Sequence, residues 1–582
     1  MQVIATAGHV DHGKSTLLRA LTGMEPDRWA EERRRGLTID LGFVWTALPD
    51  GTELAFVDVP GHERFVTNML AGVGPVPAVL FVVAADSGWQ EQTQEHLDII
   101  AALGIRHGLL AVTRADLADP GPALADASAR LAEAGLRVPS LAVSAPAGTG
   151  LPGLRTALAG LAASLPAPDP DADVRLWVDR VFTVTGRGTV VTGTLAGGTV
   201  RTGDRLHLAG RTGGVDVRGI EALGRTRTEV AGPARVALNL RGRPAEDLRR
   251  GHVLIAPERW LTTETVDVRL GTAERLPTEV TMHIGAAAVP GRIRPLGGDT
   301  ARLTLRDALP LRIGDRALLR DAGSRQVIGA MVLDVRPPAL RRRGAAARRA
   351  TELEDFTGVP DGVAELRRRG VLPRADLIAM GAEPPGPPVA GDWLADPEHW
   401  ARVRAALVDA VKAHAERHPQ DPGLTPEAAR RTLDLPHRSL VDVLAREAGL
   451  EVGRGRLIPP DLRPKQLPEV QRGVEAIRGD LAAAPFRAPD ADRLAALGLS
   501  ATSLAAAEAA GRLLRIAPTI VLLPDAADRA VEILATLPQP FTAAEARAAL
   551  GTTRRVAIPL LEHLDGHGLT TRDAAGARRL RR

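Results

Sequence analysis

The chain of 582 residues contains no cysteine and no tyrosine, and its lysines are confined to Lys14, Lys412 and Lys465. Without cysteine, disulfides, cysteine-ligated zinc sites and thiol catalysis are all excluded. No stretch of about 18 consecutive apolar residues is present, so no membrane partner is expected. The opening "MQVIATAGHV" is expected to be the first strand of a nucleotide-binding unit rather than a signal peptide, which makes a cytoplasmic protein the expectation. The net charge of +4 is small beside a pI of about 10.2. With neither tyrosine nor cysteine, little titrates between histidine and arginine, and the pI overstates how basic the surface is. Nothing in the sequence asks for self-association, so a monomer is expected.

What is present is an abundance of Ala, Arg, Gly and Pro, read as a compositional bias. Against that bias the retained Lys14 stands out, because it sits inside "GHVDHGKS" at 8–15. The spacing G-x-x-x-x-G-K-[ST] is met by Gly8, Gly13, Lys14 and Ser15, between the apolar run "VIATAG" and the helical pattern "STLLRALTG". Glycines there turn backbone N–H groups toward phosphate oxygens, and the helix N-terminus adds partial positive charge. The loop residues Gly8, His9, Val10, Asp11, His12, Gly13, Lys14, Ser15 and Thr16 are the expected phosphate cradle. Lys14 is expected to reach the β and γ phosphates, and Ser15 to bind Mg²⁺.

Further parts follow at suitable distances. "LAFVDVPGHE" ends an apolar strand in Asp58-Val-Pro-Gly61, where Asp58 can hold Mg²⁺ and the Gly61 N–H can sense the γ-phosphate. "RRRGLTID" supplies Thr38 as a further Mg²⁺ ligand. "HGLLAVTRAD" ends in Thr113-Arg114-Ala115-Asp116, and a carboxylate there accepts from guanine N1–H and N2–H₂, which adenine does not offer. GTP is therefore the expected nucleotide. The usual guanine-reading motif is N-K-x-D. Here threonine removes one amide, and Arg114 takes the place of the lysine whose stem covers the base. "AVSAPAG" resembles the last guanine-contacting loop through Ser144 and Ala145.

The set "GHVDHGKST", "RGLTID", "DVPGHE" and "QEQTQEHL" resembles the elongation factor Tu superfamily of translational GTPases. The resemblance implies that His62 orients the attacking water. It also implies that Val10 and Leu37 form an apolar gate holding His62 away until the ribosome moves it. The plainer alternatives are a loop histidine and two filler residues.

A length of 582 residues asks for about four domains or more. The expected fold is multidomain: an α/β P-loop GTPase domain over 1–170, two β-barrels over 172–260 and 262–338, then four winged-helix (α+β) domains. The barrels follow from short Val/Thr/Leu/Arg runs between Gly, Asp and Pro turns. "GRGTVVTGTL" resembles the second domain of the same GTPases and favours two barrels over one sandwich. "RPPALRRRGAAARRA" at 336–350 reads as a basic hinge that contacts a nucleic-acid backbone. The helix–turn–helix–β plan recurs in "LTPEAARRTLDLPHRSLVDVLAREAGLEVGRGRLIPP" and again after 541, giving winged helices over 350–410, 411–465, 466–524 and 525–582. The first three can equally be protein-binding modules. The last holds eight arginines against four acidic residues over 541–582, and Arg554, Arg555, Arg572, Arg578 and Arg579 are its expected RNA contacts.

A Tu-like core with four trailing winged helices resembles one family, the bacterial selenocysteine-specific elongation factors (SelB). That resemblance implies a GTPase, using GTP and Mg²⁺, that brings selenocysteinyl-tRNA to the ribosome at UGA codons marked by an mRNA stem-loop. It implies a selenol pocket made by Asp179 and Arg180 of "LWVDRVF" and Arg235 of "ARVALNL". A selenol is ionised near neutral pH and a serine hydroxyl is not, so cations discriminate by charge. A plain ion pair on the barrel surface is the alternative for these three. For the whole chain two other functions stay open: a general aminoacyl-tRNA carrier or initiation-type GTPase, and a GTP-regulated RNA-binding scaffold without cargo.

Overall fold

The computed structural model describes residues 1–582 apart from 27–39, 61–65, 75, 273–275, 322–326, 419–420, 454, 459–467, 574–575 and 582. The chain folds into two compact units, residues 1–365 with 373–386, and residues 366–372 with 387–582.

The first unit opens with a six-stranded sheet in the order β2-β3-β1-β4-β5-β6. Its strands are β1 (Gln2–Ala7), β2 (Gly42–Ala47), β3 (Glu53–Asp58), β4 (Ala78–Ala84), β5 (His107–Thr113) and β6 (Ser140–Ala142). All pair in parallel except β2 with β3. The central strands are apolar throughout because helices cover both faces. These helices are α1 (Lys14–Thr22), α2 (Val66–Val73), α3 (Glu91–Leu103), α4 (Gly121–Glu133) and α5 (Leu151–Ser164). Alternation along β1 sorts the two faces: Ile4 packs with Leu17 of α1 and Leu158 of α5. Val3 and Ala5 share the other core with Leu97 of α3 and Leu131 of α4. The strand order reverses at β1, which opens a crevice at the carboxyl ends of β1 and β4, and the glycine loop lies there.

Two barrels follow. The first has β7 (Arg175–Val184), β8 (Gly188–Leu195), β9 (Thr199–Arg201), β10 (Arg205–Leu208), β11 (Gly214–Ala222), β12 (Arg225–Arg227), β13 (Glu229–Ala231), β14 (Ala234–Arg241) and β15 (Val253–Ile255). Its main sheet runs β10-β15-β7-β8-β14-β11-β12, and β10 also pairs with β11 to close the ring. Ala234, Val236, Leu238 and Leu240 of β14 fill its core, which turns Arg235, Ala237 and Asn239 to the outside. The second is a closed barrel, β16-β19-β18-β17-β20-β21. Its strands are β16 (Thr262–Leu270), β17 (Glu279–Ile284), β18 (Ala287–Gly297), β19 (Thr300–Pro310), β20 (Arg316–Arg320) and β21 (Val327–Asp334). Arg175 joins the two barrels: its guanidinium pairs with Asp315 at 2.6 Å and lies 4.4 Å from the Trp260 ring centroid.

The expected basic hinge at 336–350 is corrected here. Its second half forms the start of α6 (Ala345–Glu354), which packs on the second barrel. Arg349 is 2% exposed, donating from Nε to Asp267 at 2.7 Å and from Nη2 to Asp334 at 2.5 Å. Asp267 also pairs with Arg302 at 2.7 Å. Two fully buried carboxylates require cations, so Arg349 is an anchor rather than a nucleic-acid contact.

Next come α7 (Gly362–Arg369), β22 (Val371–Pro373), α8 (Arg374–Ala379) and β23 (Trp393–Ala395). Met380 is fully buried in the second barrel's core, and its carbonyl accepts from the Ile313 N–H at 3.1 Å. Three repeats of three helices and a hairpin follow. The first comprises α9 (Pro397–Arg417), α10 (Pro426–Thr432), α11 (Arg438–Glu447), β24 (Glu451–Gly453) and β25 (Arg456–Ile458). The second comprises α12 (Pro468–Ala483), α13 (Ala491–Ala496), α14 (Ala501–Ala509), β26 (Leu514–Ala517) and β27 (Ile520–Leu522). The last comprises α15 (Ala526–Leu534), α16 (Ala543–Ala549), α17 (Arg554–Gly566), β28 (Thr570–Arg572) and β29 (Arg578–Leu580). Four winged helices were expected, and the described residues hold three repeats of this plan. The boundary expected at 410/411 falls inside α9, whose Trp400, Val403, Leu407 and Val411 form one continuous buried stripe. The last two repeats share a core through Phe486, Leu522, Phe541 and Leu561, so residues 525–582 are not a free-standing module.

Candidate nucleotide and cargo site

The glycine loop is shaped by contacts that only its own residues permit. Gly8 has φ +135°, and a Cβ there would sit 2.1 Å from the Val82 carbonyl oxygen, so no side chain fits. Lys14 is 6% exposed, and its Nζ donates to the carbonyls of Gly8 at 3.0 Å and His9 at 2.9 Å, spanning the loop. Ser15 Oγ donates to Asp58 Oδ2 at 2.7 Å, and Thr6 Oγ1 donates to the other oxygen at 2.7 Å. Asp58 is thus fixed beside the loop on the end of β3. Asp11, in the left-handed region, and Thr16, at the start of α1, are exposed.

The guanine-side residues converge on the same loop. Thr113 Oγ1 donates to the His12 carbonyl at 2.7 Å, so the hydroxyl itself ties the T-R-A-D segment to the phosphate loop. Arg114 pairs with Asp86 at 2.8 Å and also donates to the Asp11 carbonyl. The Ala115 N–H donates to the Val143 carbonyl at 3.3 Å, which draws in the loop of Ser144 and Ala145. Ser144 is buried, and its Oγ accepts from the Ala147 N–H at 3.2 Å. Asp116 is exposed on the loop after β5. Leu37, Thr38, Gly61 and His62 lie outside the described residues.

Two residues of "QEQTQEHL" carry a role that the motif alone did not reveal. The Gly8 N–H donates to His96 Nδ1 at 3.0 Å, and the Val10 N–H donates to Gln92 Oε1 at 3.3 Å. Helix α3 therefore holds the loop from behind. His96 must carry its proton on Nε2, and burial, with Lys14 and His9 nearby, lowers its pKa to about 3. His12 is lowered to about 4, again chiefly by burial, and its Nδ1 faces the Val82 carbonyl at 3.3 Å. Both rings are neutral at physiological pH.

Asp179, Arg180 and Arg235 come together at the junction of the first barrel with the nucleotide domain. Arg235 grips Asp179 with both terminal nitrogens, one at 2.7 Å, and Thr192 Oγ1 donates to Asp179 at 2.7 Å. Two further participants, Phe43 and Asp40, were not legible from the motifs. The Phe43 ring meets both guanidinium groups, its centroid 3.7 Å from that of Arg235 and 5.1 Å from that of Arg180. Arg180 pairs with Asp40 at 3.0 Å, and Asp40 lies 3.6 Å from Arg250. Arg250 Nη1 donates to Asn68 at 2.9 Å, while its Nη2 is buried with no hydrogen-bond partner among the described residues. Among the described residues, three guanidinium groups thus meet two carboxylates. Phe43 alternates within "GFVWTA" like any core residue, and its partners stand on a different domain, so the sequence carried no signal for it.

The same outward face of β14 continues from Arg235 to Ala237 and Asn239. These two line a cleft of about 370 Å³ with Phe182, Val190, Arg218 and Glu221. Phe182 is 42% exposed.

The five arginines expected at RNA divide. Arg554, Arg555, Arg572 and Arg579 are exposed. Arg578 is corrected: it is 5% exposed, pairs with Asp565 at 2.9 Å and holds the last hairpin. Arg555 donates to the carbonyls of Pro489 at 2.6 Å and Ala488 at 3.1 Å, tying the last two repeats together.

Comparison with known proteins draws these parts together. The model of the elongation factor Tu GTP binding domain matches residues 1–164. The model of the selenocysteine-specific elongation factor beta-barrel domain matches 263–339, and that of the elongation factor SelB winged helix matches 532–579. The selenocysteine-specific elongation factor of Escherichia coli (strain K12) is 34% identical over an alignment covering 98% of this chain and 97% of that protein. The chain belongs to the selenocysteine-specific elongation factors. Elongation factor Tu 2 of Streptomyces avermitilis is 37% identical over an alignment covering 44% of this chain and 72% of that protein. The general-carrier alternative is therefore not favoured. The crystal structure of a bacterial selenocysteine-specific elongation factor EF-Sec is similar over the whole of both chains, with a TM-score of 0.78 at 25% identity. As a selenocysteine-specific elongation factor the chain carries a GTPase domain of the Tu type. No helix among the described residues is long and apolar enough to cross a membrane.

Proposed function

We propose that the chain is a monomeric, cytoplasmic GTP-dependent carrier. It delivers selenocysteinyl-tRNA to the ribosome at UGA codons that an mRNA stem-loop marks. The observation that carries the cargo assignment is the charge balance at the junction. Arg180, Arg235 and Arg250 face Asp179 and Asp40, which leaves one positive charge and a buried Arg250 N–H group to satisfy. An ionised selenol completes that balance, and a neutral serine hydroxyl does not. Asp179 holds Arg235 in place, and the Phe43 ring packs against the two cations that face the selenolate. The terminal base of the tRNA stacks on Phe182 in the adjoining cleft, as unpaired bases do on exposed aromatics.

GTP lies along the loop 8–16, with Lys14 on its β and γ phosphates and Asp116 reading guanine. Ser15 and Asp58, hard oxygen donors that meet at 2.7 Å, fit Mg²⁺, with Thr38 completing the set. Bound there, the ion neutralises charge on the β and γ phosphates. His62 positions the attacking water, behind the gate of Val10 and Leu37, and codon pairing on the ribosome stimulates hydrolysis. Arg554, Arg572 and Arg579 grip the phosphates of the stem-loop.

The test is hydrolytic protection of the aminoacyl bond, with GTP or GDP, for selenocysteinyl-tRNA against seryl-tRNA of the same body. GTP-dependent protection of the selenocysteinyl form alone is expected. Unchanged discrimination in Arg235→Ala would return Asp179, Arg180 and Arg235 to the role of a structural ion pair. Equal protection of both aminoacyl forms by the wild type would remove the cargo assignment itself.

A further inference from the structure

The cleft beside Phe182 holds a polar atom that the barrel leaves unsatisfied. Asn239, on the outward face of β14, donates from Nδ2 to the Arg187 carbonyl at 2.8 Å. Its Oδ1 is buried and has no hydrogen-bond partner among the described residues. A buried acceptor left without a donor is costly, and most such groups in folded chains are satisfied. The amide gains nothing by turning over, because Oδ1 would then face the Arg187 carbonyl oxygen. Its polarity is therefore set: one acceptor and one spare N–H, side by side in a plane.

The surroundings suit a flat ring. Asn239 stands between Val190 of β8 and Gly219 of β11. Gly219 puts no side chain beside the amide, where a Cβ would come within 3.9 Å of the Asn239 Cβ. Ala237 continues this floor, and the exposed Phe182 lines the same cleft. Arg218, also in the lining, is exposed and pairs with no carboxylate among the described residues. The turn that lies against Asn239 is an exposed hairpin tip, residues 185–188, with Gly186 and Gly188 in the left-handed region. Besides the Asn239 bond, Arg187 approaches Glu221 only at 3.9 Å. Such a tip shifts to admit a ring without disturbing the barrel core.

Arg235 and Asn239 are four residues apart on one strand face, about 13 Å at about 3.3 Å per residue. An amino acid esterified to a terminal nucleoside bridges such a gap, with its side chain at one end and the base at the other. We infer that Asn239 reads the terminal base of the carried tRNA as adenine. Its Oδ1 accepts from the N6 amino group and its spare Nδ2–H donates to N7, the pairing by which amide side chains select adenine. Guanine would set its O6 against Oδ1. Phe182 stacks on the ring, and Arg218 meets the phosphate of the same nucleotide. The inference rests on the proposed function, which puts that base in this cleft, and adds the group that identifies it.

The experiment uses the full chain with GTP, and its first arm needs no variant. Affinity is measured for selenocysteinyl-tRNA ending in adenosine and for the same tRNA ending in purine riboside, which lacks the amino group, or in 7-deazaadenosine, which lacks N7. Each analogue is expected to bind about fivefold or more weakly than adenosine. In Asn239→Leu, which keeps the bulk and removes the amide, adenosine is expected to weaken to the level of the analogues. In Phe182→Ala all three should weaken together. Discrimination that persists in Asn239→Leu would overturn the assignment to Asn239. Equal binding of all three by the wild type, with the loss in Phe182→Ala intact, would overturn the adenine readout and leave the base in its cleft. A Phe182→Ala chain that binds all three as tightly as the wild type would remove the base from the cleft and overturn both.

Discussion

Arg235, on the outer face of β14, holds its guanidinium 3.7 Å from the ring centroid of Phe43, on the second strand of the nucleotide domain. This contact makes the proposed cargo pocket a joint product of two domains.

Replacing Phe43 by leucine keeps apolar bulk and removes the ring face. A cation–π contact contributes about 0.5–2 kcal/mol, so the affinity for selenocysteinyl-tRNA is expected to fall about 2- to 30-fold. Discrimination against seryl-tRNA should shrink with it, whereas GDP affinity, measured by nucleotide titration, should not move. An unaltered tRNA affinity would mean that Arg235 is positioned by Asp179 alone.

Arg349→Met leaves Asp267 and Asp334 buried with one cation fewer. Removing a partner from a buried ion pair costs about 3–5 kcal/mol, and urea denaturation should register that loss. Adding Asp334→Asn to the same variant should restore part of it, because one uncompensated charge disappears.

The nucleotide domain should be acid-sensitive through His12 and His96. Their folded pKa values, about 4 and about 3, lie below the value of 6.5 expected in the unfolded chain. Above pH 6.5 both states are neutral there, and the contribution to stability is fully present. As pH falls from 6.5 toward 3 the unfolded chain takes up protons that the folded one refuses. Each ring then lowers stability by about 1.4 kcal/mol per pH unit until its folded pKa is reached. Melting temperatures across pH 7 to 4 check this, and His96→Asn, which keeps an acceptor for the Gly8 N–H, should flatten the curve.

Arg578 and Arg579 are neighbours in sequence with opposite expectations. Arg578→Ala strands Asp565 and should cost about 1–3 kcal/mol of stability. Arg579→Ala should leave the melting temperature alone and weaken stem-loop binding, with the salt slope lowered by about 0.7 to 0.9. If the first variant weakened stem-loop binding at unchanged stability, the reading of Arg578 as structural would be wrong.

Much of the nucleotide site was legible because its chemistry is local in sequence. Gly8, Gly13, Lys14 and Ser15 fall within one turn of chain, and strands buried on both faces announce themselves as apolar runs. Arg114 and Thr113 could be placed at the guanine loop from spacing, but their hydrogen bonds to the carbonyls of Asp11 and His12 span about a hundred residues and needed the fold. The C-terminal arginines show the limit most clearly. Arg578 and Arg579 are identical as letters, and strand alternation sends one to Asp565 and the other to solvent.

By itself the sequence determined the order of the parts: a phosphate loop with its guanine-reading motif, two barrels, and a helical tail rich in arginine. Short-range patterning and spacing suffice for that, since each motif closes on itself within a few residues. Which arginines are free was decided only by the tertiary structure. Arg349 is consumed by buried carboxylates and Arg578 by the half-buried Asp565, and Arg235 is placed by an aspartate across a strand and a phenylalanine on another domain. A guanidinium takes its role from the charges and rings that the fold brings within about 4 Å, where Coulomb attraction is strong and desolvated.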